Sequence, residues 1–360
     1  MQIYHGGRAV RTMVARVLHP GPSESAPEAF SVPRESTETP QWLLMRRWPA
    51  RFLVEDPRDP VADRYQPLVR STDGAVANID LFLHADEPRR TEHELAMFRR
   101  ADAPPSAPGL SIQGLASVPM SGSAEFTTLG LTRLSETLQG KNVYVMDLRE
   151  ESHCFANGVP VSRFTPGNAV NEARPLSWIM QDEYHFAGEC QQAGRVAFKN
   201  EFHGAQETGW AGVAMNVRQV ATEQELVEGA GMHYNRYNVT DEHAPRPEVV
   251  DRFVEDVRNL PADAWLHFHC VGGKGRTTTF MAMFDMMHNA KGVSFEDILR
   301  RQKAMGGADL TNEHPLDNAE RQAAVQQQHD FLKSFYQYCR SNEDGFMTSY
   351  STWVSKQPTV

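Results

Sequence analysis

Apolar positions recur along this chain in two alternating rhythms. Leu131, Leu134 and Leu138 fall on one helical face, which Gly140 ends. Residues 143–148 form a short apolar run that reads as a buried strand. Thr222-x-x-Glu225 is a capping box opening a short helix that stops at Gly229, and residues 234–239 read as the next strand. Pro247 suits a first helical position, with Val249, Val250, Phe253, Val254 and Val257 as the stripe behind it. A strand over 265–270 follows, then a loop and a helix through Met281, Phe284 and Met287. Ser294 caps a helix carrying Phe295, Ile298 and Leu299, and a last long helix carries Phe331, Leu332, Phe335 and Tyr338. Helix and strand alternate, so the class is α/β with a mainly parallel sheet flanked by helices. Residues 155–220 break the rhythm and are expected to form an inserted subdomain.

The ends read differently. From Pro20 onward Ser, Pro and Glu dominate to residue 40, a composition that buries too little apolar surface to offset the entropy of ordering. Residues 1–40 are therefore expected to be a flexible arm, with a translocation signal as the functional alternative, and residues 41–357 to be the folded domain. A second loose stretch over 101–109 holds three prolines. Of the 360 residues, 40% are hydrophobic, enough for a sizeable core, which excludes wholesale disorder. The net charge of −10 argues against a nucleic-acid partner, since phosphate contacts need a basic face, but it leaves room for a phosphorylated ligand at a locally positive site. Cys154, Cys190, Cys270 and Cys339 fit neither a zinc pattern nor a disulfide framework and suggest a reducing compartment. No run approaches the ~18 apolar residues that span a bilayer, so no stable membrane insertion is expected. Arg8, Arg11 and Arg16 precede no apolar h-region, so no signal peptide is read.

One segment carries chemistry: His269-Cys270-Val271-Gly272-Gly273-Lys274-Gly275-Arg276-Thr277, placed between a predicted strand and a predicted helix. Gly272, Gly273 and Gly275 let the backbone turn tightly and present successive N–H groups to one point. The following helix adds its positive end and its unpaired donors. Together these make a cradle for a tetrahedral oxyanion, with Val271 and Lys274 completing the loop. The same field stabilises a thiolate, so Cys270 is the candidate nucleophile, in line beneath a bound phosphoryl group. Arg276 supplies a planar fork for two phosphoryl oxygens. The Thr277 hydroxyl can bond the sulfur and help it leave. A Gly-rich turn after a strand also occurs as ordinary packing, but packing does not call for Arg and Thr at this spacing.

Such a nucleophile needs an acid to protonate the leaving oxygen. Asp241 stands on a loop directly after the strand 234–239; Glu242 and His243 are its rivals there. His267 and His269 share one face of their strand. They read as hydrogen-bonded core histidines supporting the loop, since no third metal ligand is evident.

These residues resemble the bacterial protein-tyrosine-phosphatase-like phytases. The match runs through Ser121-Gly122-Ser123-Ala124-Glu125-Phe126, Asp147-Leu148-Arg149-Glu150-Glu151-Ser152-His153 with Asn157-Gly158, and Val239-Thr240-Asp241. It continues through residues 263–270, Arg276-Thr277-Thr278, Arg301-Gln302 with Gly306-Gly307, and the terminal Asp344-Gly345-Phe346 to Trp353. The resemblance spans roughly 42–357. It implies a phosphatase core with a smaller β-rich subdomain, and stepwise hydrolysis of myo-inositol hexakisphosphate through a cysteinyl-phosphate without metal or other cofactor. By matching positions, Cys270 is nucleophile, Arg276 phosphate clamp and Asp241 general acid. Asp147 and His153 lie near the pocket, with His153 equally a structural hydrogen-bonder; His243 is a further substrate contact, and Arg51 is a basic contact, with a surface arginine as its alternative. Three departures stand out. Val271-Gly272 replace an acidic or polar residue followed by Ala, Glu242 intervenes between Asp241 and His243, and no Lys or Arg occurs from Gly306 to Glu320. Lys274 is similar to the loop lysine of tensin-type phosphoinositide phosphatases. A protein-tyrosine, dual-specificity or phosphoinositide phosphatase is therefore the alternative, and a non-catalytic inositol-phosphate-binding module a third. The expected location is the bacterial cytoplasm or, after translocation, a host cell; the oligomeric state is left open.

Overall fold

The computed structural model describes residues 82–85, 95–105, 108–164, 170–198, 213–312 and 319–357. All lie in the compact unit Leu68–Val360. The expected arm at 1–40 and the candidate Arg51 lie outside the described residues. In chain order the strands and helices are β1 (Phe82–Ala85), β2 (Arg99–Arg100), β3 (Met120–Ala124), α1 (Thr128–Thr137), β4 (Asn142–Arg149), β5 (His153–Ala156) and β6 (Val159–Phe164). Then come α2 (Leu176–Ala193), β7 (Arg195–Phe198), β8 (Val213–Asn216), β9 (Val220–Ala221), α3 (Glu223–Gly229), β10 (His233–Val239) and α4 (Pro247–Asn259). The last are β11 (Ala264–Cys270), α5 (Gly275–Asn289), α6 (Phe295–Ala304), α7 (Ala319–Ser341) and α8 (Tyr350–Ser355).

The central sheet runs β10-β4-β11-β3-β2. Its first four strands are parallel and β2 closes the edge antiparallel to β3. β11 is the middle strand and is buried along its whole length, as a strand covered on both faces must be. Because β3, β4, β10 and β11 run the same way, the segments after them all emerge at one edge of the sheet, where open α/β folds gather ligands. Residues 125–127, 150–152, 240–246 and 271–274 are thereby brought together.

One face of the sheet packs the main core, in which Tyr237, Phe253, Phe268 and Phe280 form a set of tilted and edge-on aromatic contacts. The other face holds Leu131, Leu134, Val143, Val145 and Trp265. The expected caps are present: Thr222 and Glu225 satisfy each other's backbone N–H groups, and Ser294 accepts from Asp297 N.

A second sheet, β1-β6-β5-β9, is antiparallel throughout. The stretch 155–220 also contains the 18-residue helix α2, which the apolar pattern did not announce. Its inward positions are Ile179, Asp182, Glu183, Phe186, Ala187 and Cys190. The spacing is helical, but two of the buried positions are acidic, so the stripe is broken when read as hydrophobicity. Those two carboxylates belong to the network beneath the site.

Candidate active site

Cys270 ends β11 and is 4% exposed, at the floor of the turn 271–274. The turn is fastened on three sides. Glu125 N donates to Val271 O at 3.2 Å from the end of β3. Gly273 has φ +63°, and a Cβ there would lie 2.4 Å from Ala124 N, so only glycine fits. Arg99, buried at the sheet edge, donates from Nη1 to Gly273 O at 2.8 Å and to Met97 O at 3.0 Å, and from Nη2 to Thr278 Oγ1 at 3.2 Å. The carbonyl and N–H of a trans peptide point in opposite directions. Tying Gly273 O to Arg99 therefore aims the Lys274 N–H the other way. Burial lowers the Arg99 guanidinium to about 10, although Cys270 works against this.

The Thr277 hydroxyl donates to Cys270 Sγ at 3.1 Å. Arg276, nearly fully buried, is the second residue of α5, its guanidinium held edge-on by Glu151: Nη1 to Oε2 at 2.8 Å and Nη2 to Oε1 at 3.2 Å. Nη1 also donates to Val239 O at 3.2 Å, and Nη2 lies 3.2 Å from Asp241 Oδ1. Desolvation opposes the charge of Arg276, yet Asp241, Glu151 and Cys270 together raise its value above the ordinary one. Asp241 is partly exposed, its side chain 34% accessible. The turn carrying it closes with His243 N donating to Thr240 O at 3.2 Å. The inserted Glu242 takes a left-handed backbone, φ +59°, and turns out to solvent. His243 is exposed, its Nδ1 2.7 Å from the Asp241 carbonyl. Lys274 is exposed at the crest of the loop. Val271, Gly272 and Gly275 are half-buried around it.

Asp147 departs from the expected place beside the substrate. It is fully buried on β4, accepting from Tyr234 Oη at 2.7 Å and from Arg149 N at 2.9 Å, and it lies 3.1 Å from Arg236 Nε. It supports the site from below. Its neighbours form a buried ionic network. Glu151 accepts from Arg149 Nε at 2.9 Å, and Arg149 Nη1 donates to Glu125 at 3.0 Å. His269 lies 3.5 Å from Glu125 and 2.7 Å from Glu223, and Glu223 lies 2.8 Å from His153 Nε2. Arg236 pairs with Glu183 of α2 at 2.7 Å.

Burial alone would push the Glu151 carboxyl up; Arg276 and Arg149 outweigh it and hold it at about 2. Burial likewise opposes the charge of His269, but Glu223 and Glu125 on either side raise it well above the ordinary imidazole value. Glu223 is pushed up to about 8 by burial and by the Glu125 and Asp147 carboxylates, against the pull of His269. His267 is held well below its ordinary value by burial, with His269 and Arg99 adding to it. A neutral ring has one donor and one acceptor, which suits the Ser121 and Ser123 hydroxyls at 3.0 and 3.1 Å.

His269, though not His267, does meet acidic partners that the sequence did not disclose. Glu125, Glu223 and His269 form one group with metal-ligand spacing, and Asp147, His153 and Glu223 form another. Both are sealed, and Arg149 and Arg236 already neutralise Glu125 and Asp147. The donor set suits a salt-bridged core better than a cation. The sequence reading also missed Arg99 and the role of Glu151. The Glu150-Glu151 pair directly after a predicted strand was a usable signal; Arg99, in a short edge strand, offered none.

The family model of protein-tyrosine-phosphatase-like phytases, described as inositol hexakisphosphate, matches residues 146–288. Effector protein hopD2 of Pseudomonas syringae pv. tomato is 28% identical over 312 residues, 77% of this chain and 63% of that protein. A protein-tyrosine-phosphatase-like myo-inositol phosphatase from Mitsuokella multacida, solved with myo-inositol-(1,3,4,5)-tetrakisphosphate, aligns with TM-score 0.69 and 29% identity over 82% of this chain and 51% of that one. A phytase of the same type from Bdellovibrio bacteriovorus aligns with TM-score 0.62 and 27% identity, covering 81% of this chain and 100% of that one. The chain thus spans somewhat under two thirds of hopD2 and about half of the Mitsuokella protein.

Proposed function

This chain belongs to the bacterial protein-tyrosine-phosphatase-like phytases, and from that premise we propose that it removes phosphates stepwise from myo-inositol hexakisphosphate and lower inositol polyphosphates. The observation that carries the reading is the meeting of Cys270, Arg276 and Asp241 at one edge of the sheet, with Thr277 Oγ1 on the sulfur. Cys270 Sγ attacks phosphorus, and the S–P bond forms as the P–O bond to the inositol breaks. Asp241 gives its proton to the departing oxygen. Water then attacks the cysteinyl-phosphate, Asp241 takes its proton, and the thiolate leaves towards the Thr277 hydroxyl. Loop N–H groups and the Arg276 fork balance the charge on the equatorial oxygens. Asp241 and an incoming phosphate compete for Arg276 Nη2, so substrate entry frees Asp241 to turn towards the leaving group.

A second reading, a protein-tyrosine phosphatase, is favoured by one observation. No Lys or Arg occurs over 306–320, and Lys303 just before it is tied to Asp309 at 2.5 Å. Distal phosphates of a ring substrate find few cations there. Phosphate release from inositol hexakisphosphate against a phosphotyrosine peptide separates the two. Higher kcat/KM on the inositol supports the first reading; preference for the peptide overturns it. Tight binding of inositol phosphates with no release from either substrate would favour a binding module. The effector relative supports delivery into a host cell, with residues 1–40 as the delivery segment. Deleting 1–40 is then expected to stop delivery and spare activity in vitro; lost activity would contradict that division.

A further inference from the structure

Glu150 and Glu151 stand side by side after β4 and serve different partners. Glu151 holds Arg276. Glu150, fully buried, reaches the turn after β10: Thr240 Oγ1 donates to its Oε2 at 2.5 Å, and Arg246 Nη2 lies 3.3 Å from its Oε1. These two contacts flank Asp241, one residue before it and five after. The anchor is itself fixed. Asn171 Nδ2 donates to the Glu150 carbonyl at 2.9 Å, and Ser152 Oγ donates to Asp182 at 2.5 Å. The turn between the two feet carries the left-handed Glu242, a backbone that persists only where its surroundings over-determine it.

We propose that Glu150 is a positioning residue for the general acid: one buried carboxylate clamps both feet of the 240–246 turn and fixes where Asp241 stands relative to Arg276. The proposal rests on the reading of Asp241 as the acid. A clamp of this kind acts only on the step that needs the proton. Loosening it slows esters with poor leaving groups and spares those that leave unaided.

The test is kcat/KM along a series of aryl phosphates from nitrophenyl to unsubstituted phenyl, for wild type, Glu150→Gln, Arg246→Gln, Asp241→Asn and the Glu150→Gln/Asp241→Asn double variant. Arg246 is partly exposed, so its variant keeps the test open should Glu150→Gln fold poorly. Glu150→Gln and Arg246→Gln are each expected to lose about tenfold on the poorest leaving group and under about twofold on the best. Glu150→Gln should add no further loss in the Asp241→Asn background, because residues acting through one group are not additive. Equal losses along the series, or additive losses in the double variant, would overturn the clamp while a leaving-group dependence in Asp241→Asn left the acid reading standing. A flat series for Asp241→Asn would remove the acid reading and the clamp together.

Discussion

The cradle and the network beneath it are built in opposite ways. The cradle is contiguous: Cys270 to Thr277 are a strand end, a turn and a helix start, and its working groups are mostly backbone N–H donors. The network is dispersed. Glu125 follows β3, Arg149 and Glu151 border the end of β4, His153 opens β5, Glu183 comes from α2, Glu223 from α3, Arg236 from β10 and His269 from β11. On the proposed reading the cradle binds and reacts, while the network holds the Arg276 guanidinium through Glu151. A loop of glycines can be aimed only by its surroundings, and here the surroundings are charges sealed from water, where each partner matters more than on the surface.

The largest effect should fall on the cradle. Cys270→Ser is expected to lower turnover by at least about 10⁴-fold while keeping substrate binding, since the N–H donors survive; steady-state kinetics with calorimetry checks both. Glu151→Gln comes next. Removing one partner of a buried pair costs about 3–5 kcal/mol, and denaturant unfolding should show it. Its pH dependence is specific. Glu151 sits at about 2 in the folded chain against an ordinary 4.5, so its stabilisation is present above 4.5 and is lost as pH falls towards 2. The wild-type Tm should decline across that window more steeply than that of Glu151→Gln.

Gly273→Ala combines a positive φ with a clash against Ala124 N. A cost of about 1–3 kcal/mol is expected, with weaker inhibition by inorganic phosphate or vanadate. The smallest effect is predicted for Glu223→Gln. Burial and the Glu125 and Asp147 carboxylates raise its carboxyl to about 8, which weakens the charge that the amide would remove, and the change should stay within about 1 kcal/mol. Glu125→Gln, which takes one charged partner from both Arg149 and His269, should cost several-fold more than that. A costly Glu223→Gln would show that this carboxyl carries charge.

This contrast also explains what was legible in the sequence. Cys270, Arg276, Thr277 and Asp241 could be proposed as a group because they follow two predicted strand ends, and the structure brings them to one edge of the sheet. The parallel sheet was legible in part: residues 143–148 and 265–270 are largely apolar and stand between helical stripes, whereas β3, Met120-Ser121-Gly122-Ser123-Ala124, carries no apolar run and was not read as a strand. α2 was not legible, because Asp182 and Glu183 face inward and a polarity pattern assigns such residues to solvent. Asp147 was placed beside the substrate on motif position alone; its side chain lies below, between Tyr234 and Arg236. Arg99 was invisible because the partners that tie it to the site lie far along the chain, Gly273 174 residues on and Thr278 179.

The most direct test of the account is phosphate release from myo-inositol hexakisphosphate in the presence of a chelator, with wild type and Cys270→Ser side by side. The account predicts release by the wild type and none by the variant, which still binds the substrate. Release by both, or by neither, would contradict it.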